Sequence, residues 1–181
     1  MRAGGGKIKG GGYEREVGAK LSLWLSHGQR KDLICRTVGS GAQFTTAAKK
    51  LISAGHAGDL MSQDPLSYEL LNQFIIECKF WKNLHLIRFL SKDGELYDAL
   101  EKVKKEASSV SKGWILVAKQ NHQRTILLTS PKLVYTDFHA LGLSFHSLFS
   151  NSVTLYYLDE FLSVVDPEKF LYPERFLQNN S

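Results

Sequence analysis

Residues 74–80 place a carboxylate and an ammonium inside an otherwise apolar run, and this constrains the fold more than any other stretch. The run, Phe-Ile-Ile-Glu-Cys-Lys-Phe, predicts a short buried strand, because it is rich in apolar and β-branched residues. Side chains alternate between the faces of a strand, so Glu77 and Lys79 share one face, about 7 Å apart, and Cys78 points to the other. Buried charges need partners. The pair therefore indicates either a strand end that has reached solvent or a site for a metal ion with a bound phosphate.

Hydrophobic periodicity predicts the elements around this strand. Apolar residues recur every four positions from Val17 to Leu25 and predict a helix over 13–26. A short strand that starts at Gly58 is the expected antiparallel partner of residues 74–80. The other expected elements are strands over 32–38, 114–118, 125–129 and 153–158, and helices over 95–107 and 159–165. This order predicts an α/β fold with a small central mixed sheet flanked by helices.

The 181 residues suit one domain with appendages. Residues 1–12 are rich in glycine and basic, and predict a flexible arm. The core is expected over 13–130, and residues 131–181 form a C-terminal extension whose sequence indicates no role.

Charge and composition narrow the classes of partner and compartment. The net charge is +5, and residues 1–58 carry ten Lys/Arg against three acids, which suits a polyanion partner and simple solubility equally well. No apolar run is long enough to cross a membrane, and the N-terminus lacks the apolar region of a signal peptide. The two cysteines form no disulfide framework, so we expect a reducing, cytoplasmic location.

Three acids and one lysine form the candidate site: Glu14, Asp59, Glu77 and Lys79. Asp59 enters one strand and Glu77 lies on another, so the two carboxylates converge if these strands are neighbours. Glu14 lies on the buried edge of the first helix and can reach the same cluster. Carboxylate oxygens are the ligands that Mg²⁺ and Mn²⁺ prefer, and a cation offsets the repulsion between two close carboxylates. Lys79 would then orient a water or steady the charge that builds on phosphorus.

This ordered set resembles the PD-(D/E)XK nuclease superfamily, in which an acid on one strand precedes Glu-x-Lys on the next. The stretch Gly12-Tyr13-Glu14-Arg15-Glu16, followed by Arg36 and Gly39-Ser40-Gly41, is similar to archaeal-type Holliday junction resolvases. The resemblance covers residues 10–130 and implies a restriction-endonuclease-like αβββαβ core. It also implies that Glu14, Asp59, Glu77 and Lys79 are catalytic, with the three acids as metal ligands. Asp64, which Pro65 follows, is an alternative to Asp59 as the first acid.

The resemblance implies a Mg²⁺- or Mn²⁺-dependent endonuclease that cuts branched DNA, in particular a four-way junction, as a homodimer. Small nucleases of this kind suit viral or mobile-element genomes. Six further residues are candidate DNA contacts: Arg15, Arg36, Ser40, Lys49, Lys50 and Lys82. Two alternatives stay open, namely a nuclease of the same fold acting on duplex ends, nicks or specific sites, and a non-catalytic DNA-binding module.

Overall fold

The structure is a computed structural model. It describes residues 5–37, 58–130, 145–148 and 152–172, with the backbone alone for residues 5–9 and 145–147. Seven strands lie in these ranges: β1 (Ile34–Arg36), β2 (Leu60–Ser62), β3 (Phe74–Trp81), β4 (Gly113–Gln120), β5 (Ile126–Thr129), β6 (Phe145–Leu148) and β7 (Val153–Tyr157). The α-helices in the same ranges are α1 (Gly5–Leu25), α2 (Tyr68–Gln73), α3 (Leu86–Leu90), α4 (Glu95–Ser109), α5 (Leu158–Val164) and α6 (Pro167–Leu171).

The strands form one five-stranded mixed sheet and one small ribbon. The sheet has the order β3-β4-β5-β7-β6, in which β3 and β4 are parallel and the other neighbours are antiparallel. The ribbon pairs β1 with β2 in antiparallel fashion. The elements α1, β1, β2, β3, α4 and β4 follow one another in the predicted αβββαβ order, and helices flank the sheet. The predicted fold class is confirmed.

The strand β3 separates two apolar cores, which explains its nearly continuous apolar sequence. Ile75 belongs to the core beneath α4, whereas Ile76 and Cys78 belong to the core beneath α1. All three side chains are buried. The helix α4 turns its predicted apolar stripe towards the sheet; its members are Leu96, Ala99, Leu100, Val103 and Ala107. A strand that is covered on both faces can carry charge only where that charge finds a partner.

The predicted pairing of β2 with β3 is wrong. Asp64 caps a single 3-10 turn at Pro65–Ser67, and α2 follows directly, so the chain does not turn back along β2 as a hairpin. Instead β2 pairs with β1, and β3 pairs with β4. Asp59, the residue before β2, is bound to β3 through a hydrogen bond of 2.9 Å from its N–H to the Ile76 carbonyl.

The helix α1 also differs from its predicted start, because it begins at Gly5 and not at Tyr13. Residues 5–12, which the sequence analysis assigned to the arm, continue this helix in the structure. Glycine disfavours helix, but extending an existing helix needs no new nucleus. A glycine within α1 also permits close packing: a Cβ at Gly18 would lie 3.1 Å from the carbonyl oxygen of Ile34 in β1.

The C-terminal segment completes the same core. The strand β7 pairs with β5, and the Trp24 indole of α1 donates a hydrogen bond of 2.7 Å to the Val165 carbonyl. Phe170 packs edge-on against Trp24, with ring centroids 5.5 Å apart. The sheet and its α1 layer therefore continue past the predicted core boundary at residue 130. No helix in the described ranges is long and apolar enough to span a membrane.

Candidate active site

Glu77 and Lys79 lie on one face of β3, as their spacing predicts. Both point towards α4, since Ile75 on the same face belongs to the core beneath that helix. Glu77 is 2% exposed, and the Lys79 ammonium donates to its Oε1 at 2.5 Å. The side chain of Lys79 retains 30% exposure, so the pair lies at the border between the core and the surface.

Asp59 joins this pair from the outer edge of β3. Because β3 is an edge strand, its outer backbone groups have no ladder partner. Asp59 supplies partners twice: its N–H donates to the Ile76 carbonyl at 2.9 Å, and its Oδ2 accepts from the Cys78 N–H at 2.8 Å. The same Oδ2 lies 3.6 Å from the Lys79 Nζ. Asp59, Glu77 and Lys79 therefore meet in one cluster at the border of the core, although β2 and β3 do not pair as strands.

A glycine brings Asp59 to this position. Gly58 has a φ of 98°, in the region that disfavours other residues, and a Cβ there would lie 2.7 Å from the Ile76 carbonyl oxygen. Any other residue would push the chain away from β3 and break the Asp59 contacts.

Asp64, the alternative first acid, lies outside the cluster. Its Oδ1 accepts from the Leu66 N–H at 3.0 Å, and its Oδ2 accepts from Arg30 at 2.6 Å. Both bonds serve the turn that leads to α2. The geometry therefore favours Asp59 as the acid that acts with Glu77.

Glu14 lies near the cluster but is held by another partner. It is 7% exposed, and the Arg36 guanidinium of β1 donates to its Oε2. Among the residues that the structure describes, no group of three or more Asp, Glu, His or Cys side chains is arranged to hold a metal ion. The structure thus brings together two of the three predicted ligands, and a direct role for Glu14 stays a prediction.

A comparison with protein families decides the class of the molecule. The family described as "Phage putative PDDEXK endonuclease" matches residues 5–170. The chain belongs to this family of PD-(D/E)XK nucleases. The match confirms the predicted superfamily, but it does not support the finer prediction of a Holliday junction resolvase. No match was found among curated proteins or among solved structures.

PD-(D/E)XK nucleases generally use divalent metals, and the cluster in this nuclease has suitable chemistry. Two buried carboxylates supply oxygen ligands of the type that Mg²⁺ and Mn²⁺ prefer. Their mutual repulsion also raises the pKa of Asp59, and a bound cation would remove that repulsion. Asp59 and Glu77 therefore fit a divalent cation.

The three ionisable groups of the cluster shift in different directions. Burial, followed by repulsion from Glu77, raises the pKa of Asp59 to about 6. Burial acts on Glu77 in the same sense, but Lys79 and Lys102 outweigh it and hold the Glu77 pKa below its ordinary value. Burial would lower the pKa of Lys79, but the two carboxylates outweigh burial and raise it. At neutral pH all three groups are charged, and Asp59 is the group whose charged form the surroundings disfavour.

We expect the metal-free nuclease to lose stability as the pH rises from about 4 to about 7. A raised pKa means that the folded state favours protonated Asp59, so this contribution is lost as the pH passes about 6. The resulting loss in the free energy of unfolding is about 3 kcal/mol at most. The lowered pKa of Glu77 acts in the opposite sense, but at lower pH. Thermal midpoints of the unmodified protein and of Asp59→Asn should diverge over this range, with the variant becoming relatively more stable. If the thermal midpoints of the two proteins changed in parallel with pH, Asp59 would not have the raised pKa on which this prediction depends.

Lys102 is a site residue that the sequence analysis did not select. It extends from α4, and its Nζ lies 3.2 Å from the same Glu77 oxygen that Lys79 contacts. One buried carboxylate oxygen therefore faces two ammonium groups. The signal in the sequence was present: Lys102 follows Ala99 by three positions, so it borders the buried stripe of α4. Its place above β3 depends on how the helix crosses the sheet.

Three of the six candidate DNA contacts lie among the described residues. Arg15 on α1 and Lys82 after β3 are exposed. Arg36 is partly exposed and is engaged by Glu14. Three further candidates lie outside the described residues: Ser40, Lys49 and Lys50.

Proposed function

We propose that the protein is a DNA endonuclease that hydrolyses phosphodiester bonds with Mg²⁺ or Mn²⁺, and that its preferred substrate is branched DNA such as a four-way junction. The observation that carries the proposal is the cluster itself. Lys79 lies 2.5 Å from Glu77 and 3.6 Å from Asp59, and its side chain remains 30% exposed. The family match supports a nuclease, and the net charge of +5 suits a DNA partner.

Each residue of the cluster has a role in this reaction. Asp59 and Glu77 would hold the cation, which would supply charge neutralisation and activate a water. Lys79 faces the phosphate and stabilises the negative charge that builds on its oxygens. The water oxygen forms a bond to phosphorus, the bond from phosphorus to one ester oxygen breaks, and that oxygen takes a proton as it leaves. Lys102, with 57% of its side chain exposed, is free to turn from Glu77 to the phosphate.

The preference for branched DNA rests on the pattern of Glu14, Arg36 and the Gly39-Ser40-Gly41 stretch. Symmetric cutting of a junction would need a two-fold dimer. The test is a competition between a labelled four-way junction, a nicked duplex and an intact duplex of the same sequence, with sedimentation to measure the oligomeric state. Preferential cutting of the junction by a dimer supports the proposal. Equal cutting of the duplex, or cutting at ends or nicks, leaves a nuclease without junction preference.

One observation favours a non-catalytic DNA-binding module as the second candidate. Lys79 and Lys102 already satisfy the Glu77 carboxylate, so the cluster could serve as a buried ion-pair network without any cation. This candidate predicts DNA binding with no cutting under either metal.

Asp59 and Asp64 provide a matched test of the first acid. We expect Asp59→Asn to lower the cleavage rate by at least about 100-fold, because it removes one of two charges that hold the cation. Asp64→Asn makes the same chemical change in the turn before α2 and should leave the rate within about threefold. Initial rates on one labelled substrate measure both. The reverse result would make Asp64 the catalytic acid.

Lys102→Gln should slow cleavage about 10-fold, which is the value of one contact to a charged group. The control is Lys105→Gln, since Lys105 is exposed on the same helix and the change in net charge is identical. Rates measured at two salt concentrations separate a local effect from a general loss of positive charge. If both variants lost the same factor in cleavage rate, Lys102 would act only through the overall electrostatic field of the protein.

A further inference from the structure

A cavity of about 430 Å³ opens directly beyond the C-terminal end of β3. It lies between the end of that strand, the loop that follows it and the first residues of α4. Its lining includes Trp81, Asn83, His85 and Arg88. Its volume lies within the range of ordinary small-molecule sites. The proposed hydrolytic reaction leaves this cavity without a use.

The cavity continues the face of β3 that carries the catalytic cluster. Trp81 follows Lys79 by two residues, so the two side chains share a face and are separated by about 7 Å along the strand. Trp81 also belongs to the core beneath α4, together with Leu96 at the start of that helix. A DNA strand that places a phosphate at Lys79 and runs along β3 towards Trp81 brings its next nucleotide to the mouth of the cavity.

The lining suits a nucleobase better than a phosphate. Two cations, Lys82 and Arg88, are balanced by two acids, Asp93 and Glu95, and Arg88 is paired with Asp93 at 2.8 Å. A site with balanced charge has little attraction for an isolated phosphate. Aromatic walls stack on bases of any sequence.

The polar groups that remain open in the cavity match the edge of a base. The Asn83 amide makes no hydrogen bond to any residue in the described ranges, and it offers both a donor and an acceptor. Asn is a residue type that pairs with base edges in two-point contacts. His85, an exposed residue that also lines the cavity, adds the two ring nitrogens of its imidazole. The cavity thus combines stacking walls with a base-reading edge.

We propose that this cavity takes one unpaired nucleobase of the strand being cut, next to the scissile phosphate. The inference rests on the proposed nuclease function and deepens it. An enzyme that takes a base out of the stack favours DNA in which that base is already unpaired or weakly stacked. Nucleotides at a branch point meet this condition. The cavity would then be one source of a preference for branched DNA.

The test is a binding experiment that does not depend on cleavage. A labelled four-way junction is titrated with the unmodified protein in chelator, so that no strand is cut. The titration is repeated with single abasic sites placed at successive positions around the branch point. Loss of one stacked base should weaken binding about 10-fold at one or two adjacent positions and leave the other positions unchanged.

Variants then connect that position to the cavity. Trp81→Leu should weaken binding to intact DNA about 10-fold but cause no further loss on the sensitive abasic DNA, because both changes remove the same contact. Asn83→Ala should show the same pattern with a smaller loss, and it tests the cavity without altering the core. Tyr68→Leu is the matched control, since Tyr68 is an exposed aromatic residue on α2.

Three results would overturn the inference. One is that no abasic position affects binding. Another is that the losses from Trp81→Leu and from the abasic site simply add. The third is an absence of binding to the junction at all. If instead the base effect is present but no DNA is cut with either metal, the cavity stands and the proposed catalytic function fails.

Discussion

Glu77→Gln should reduce DNA cleavage by at least about 100-fold while leaving DNA binding intact. The substitution keeps the shape of the side chain but removes its negative charge. In the proposed site, that charge and the Asp59 carboxylate would jointly hold the cation. Burial and, after it, repulsion from Glu77 raise the pKa of Asp59, and the substitution removes that repulsion, so it relieves one unfavourable interaction in the fold. The measurements are single-turnover cleavage rates, DNA binding in chelator and the thermal midpoint. A carboxylate close to the phosphate repels DNA, so binding should be unchanged or tighter.

The control for Glu77→Gln is Glu106→Gln on α4, which removes an acid that contacts Lys102 at 3.6 Å without entering the cluster. It should leave the cleavage rate within about threefold. If Glu77→Gln cut as fast as the unmodified protein, Glu77 would be only a structural partner of the two lysines. A cleavage loss accompanied by a collapse of the thermal midpoint would indicate unfolding, and Glu77→Asp would then separate the two effects.

Lys79→Met should also reduce cleavage about 100-fold or more, but through a different step. The Met side chain fills similar space and cannot stabilise charge on the phosphate. The two carboxylates remain, so the variant should still bind Mn²⁺, and more tightly than the unmodified protein because a competing cation has gone. Calorimetric titration with Mn²⁺ distinguishes the two variants: Glu77→Gln loses the binding heat, and Lys79→Met keeps it.

Lys82→Met is the matched control, since Lys82 is exposed and lies three residues further along the chain. It should lower DNA affinity slightly and leave the single-turnover rate at saturating protein unchanged. Loss of Mn²⁺ binding in Lys79→Met would contradict the assignment of separate roles. In that case the lysine would be required to keep Asp59 and Glu77 in place, and its contribution to cleavage would be indirect.

The core of the site could be predicted because it depends on local geometry. Alternation along one strand places Glu77 and Lys79 on the same face wherever that strand lies in the fold. The apolar stripe of α4 likewise required only the helical period. The continuous apolar character of β3 indicated a strand that is covered on both faces, and the two cores on either side of it agree with this.

The failures concern contacts between segments that are distant in sequence. The pairing of β2 depends on whether residues 62–73 form a hairpin or a helix, and the cap at Asp64 settles this locally in favour of α2. The choice between Asp59 and Asp64 needed the same information. Lys102 borders the apolar stripe of α4 in the sequence, but its place above β3 depends on how α4 crosses that strand. The Glu14–Arg36 ion pair depends on how α1 lies against β1, and a direct role for Glu14 stays a prediction.

The central claim is that Asp59, Glu77 and Lys79 form a metal-dependent nuclease site, and one measurement tests it most directly. A labelled four-way junction is incubated with the unmodified protein or with Glu77→Gln, in Mg²⁺, in Mn²⁺ and in chelator. We expect the unmodified protein to cut the DNA with metal and not with chelator, and we expect Glu77→Gln not to cut under any condition. DNA that is bound but left intact by the unmodified protein in both metals would contradict the claim and favour the non-catalytic module.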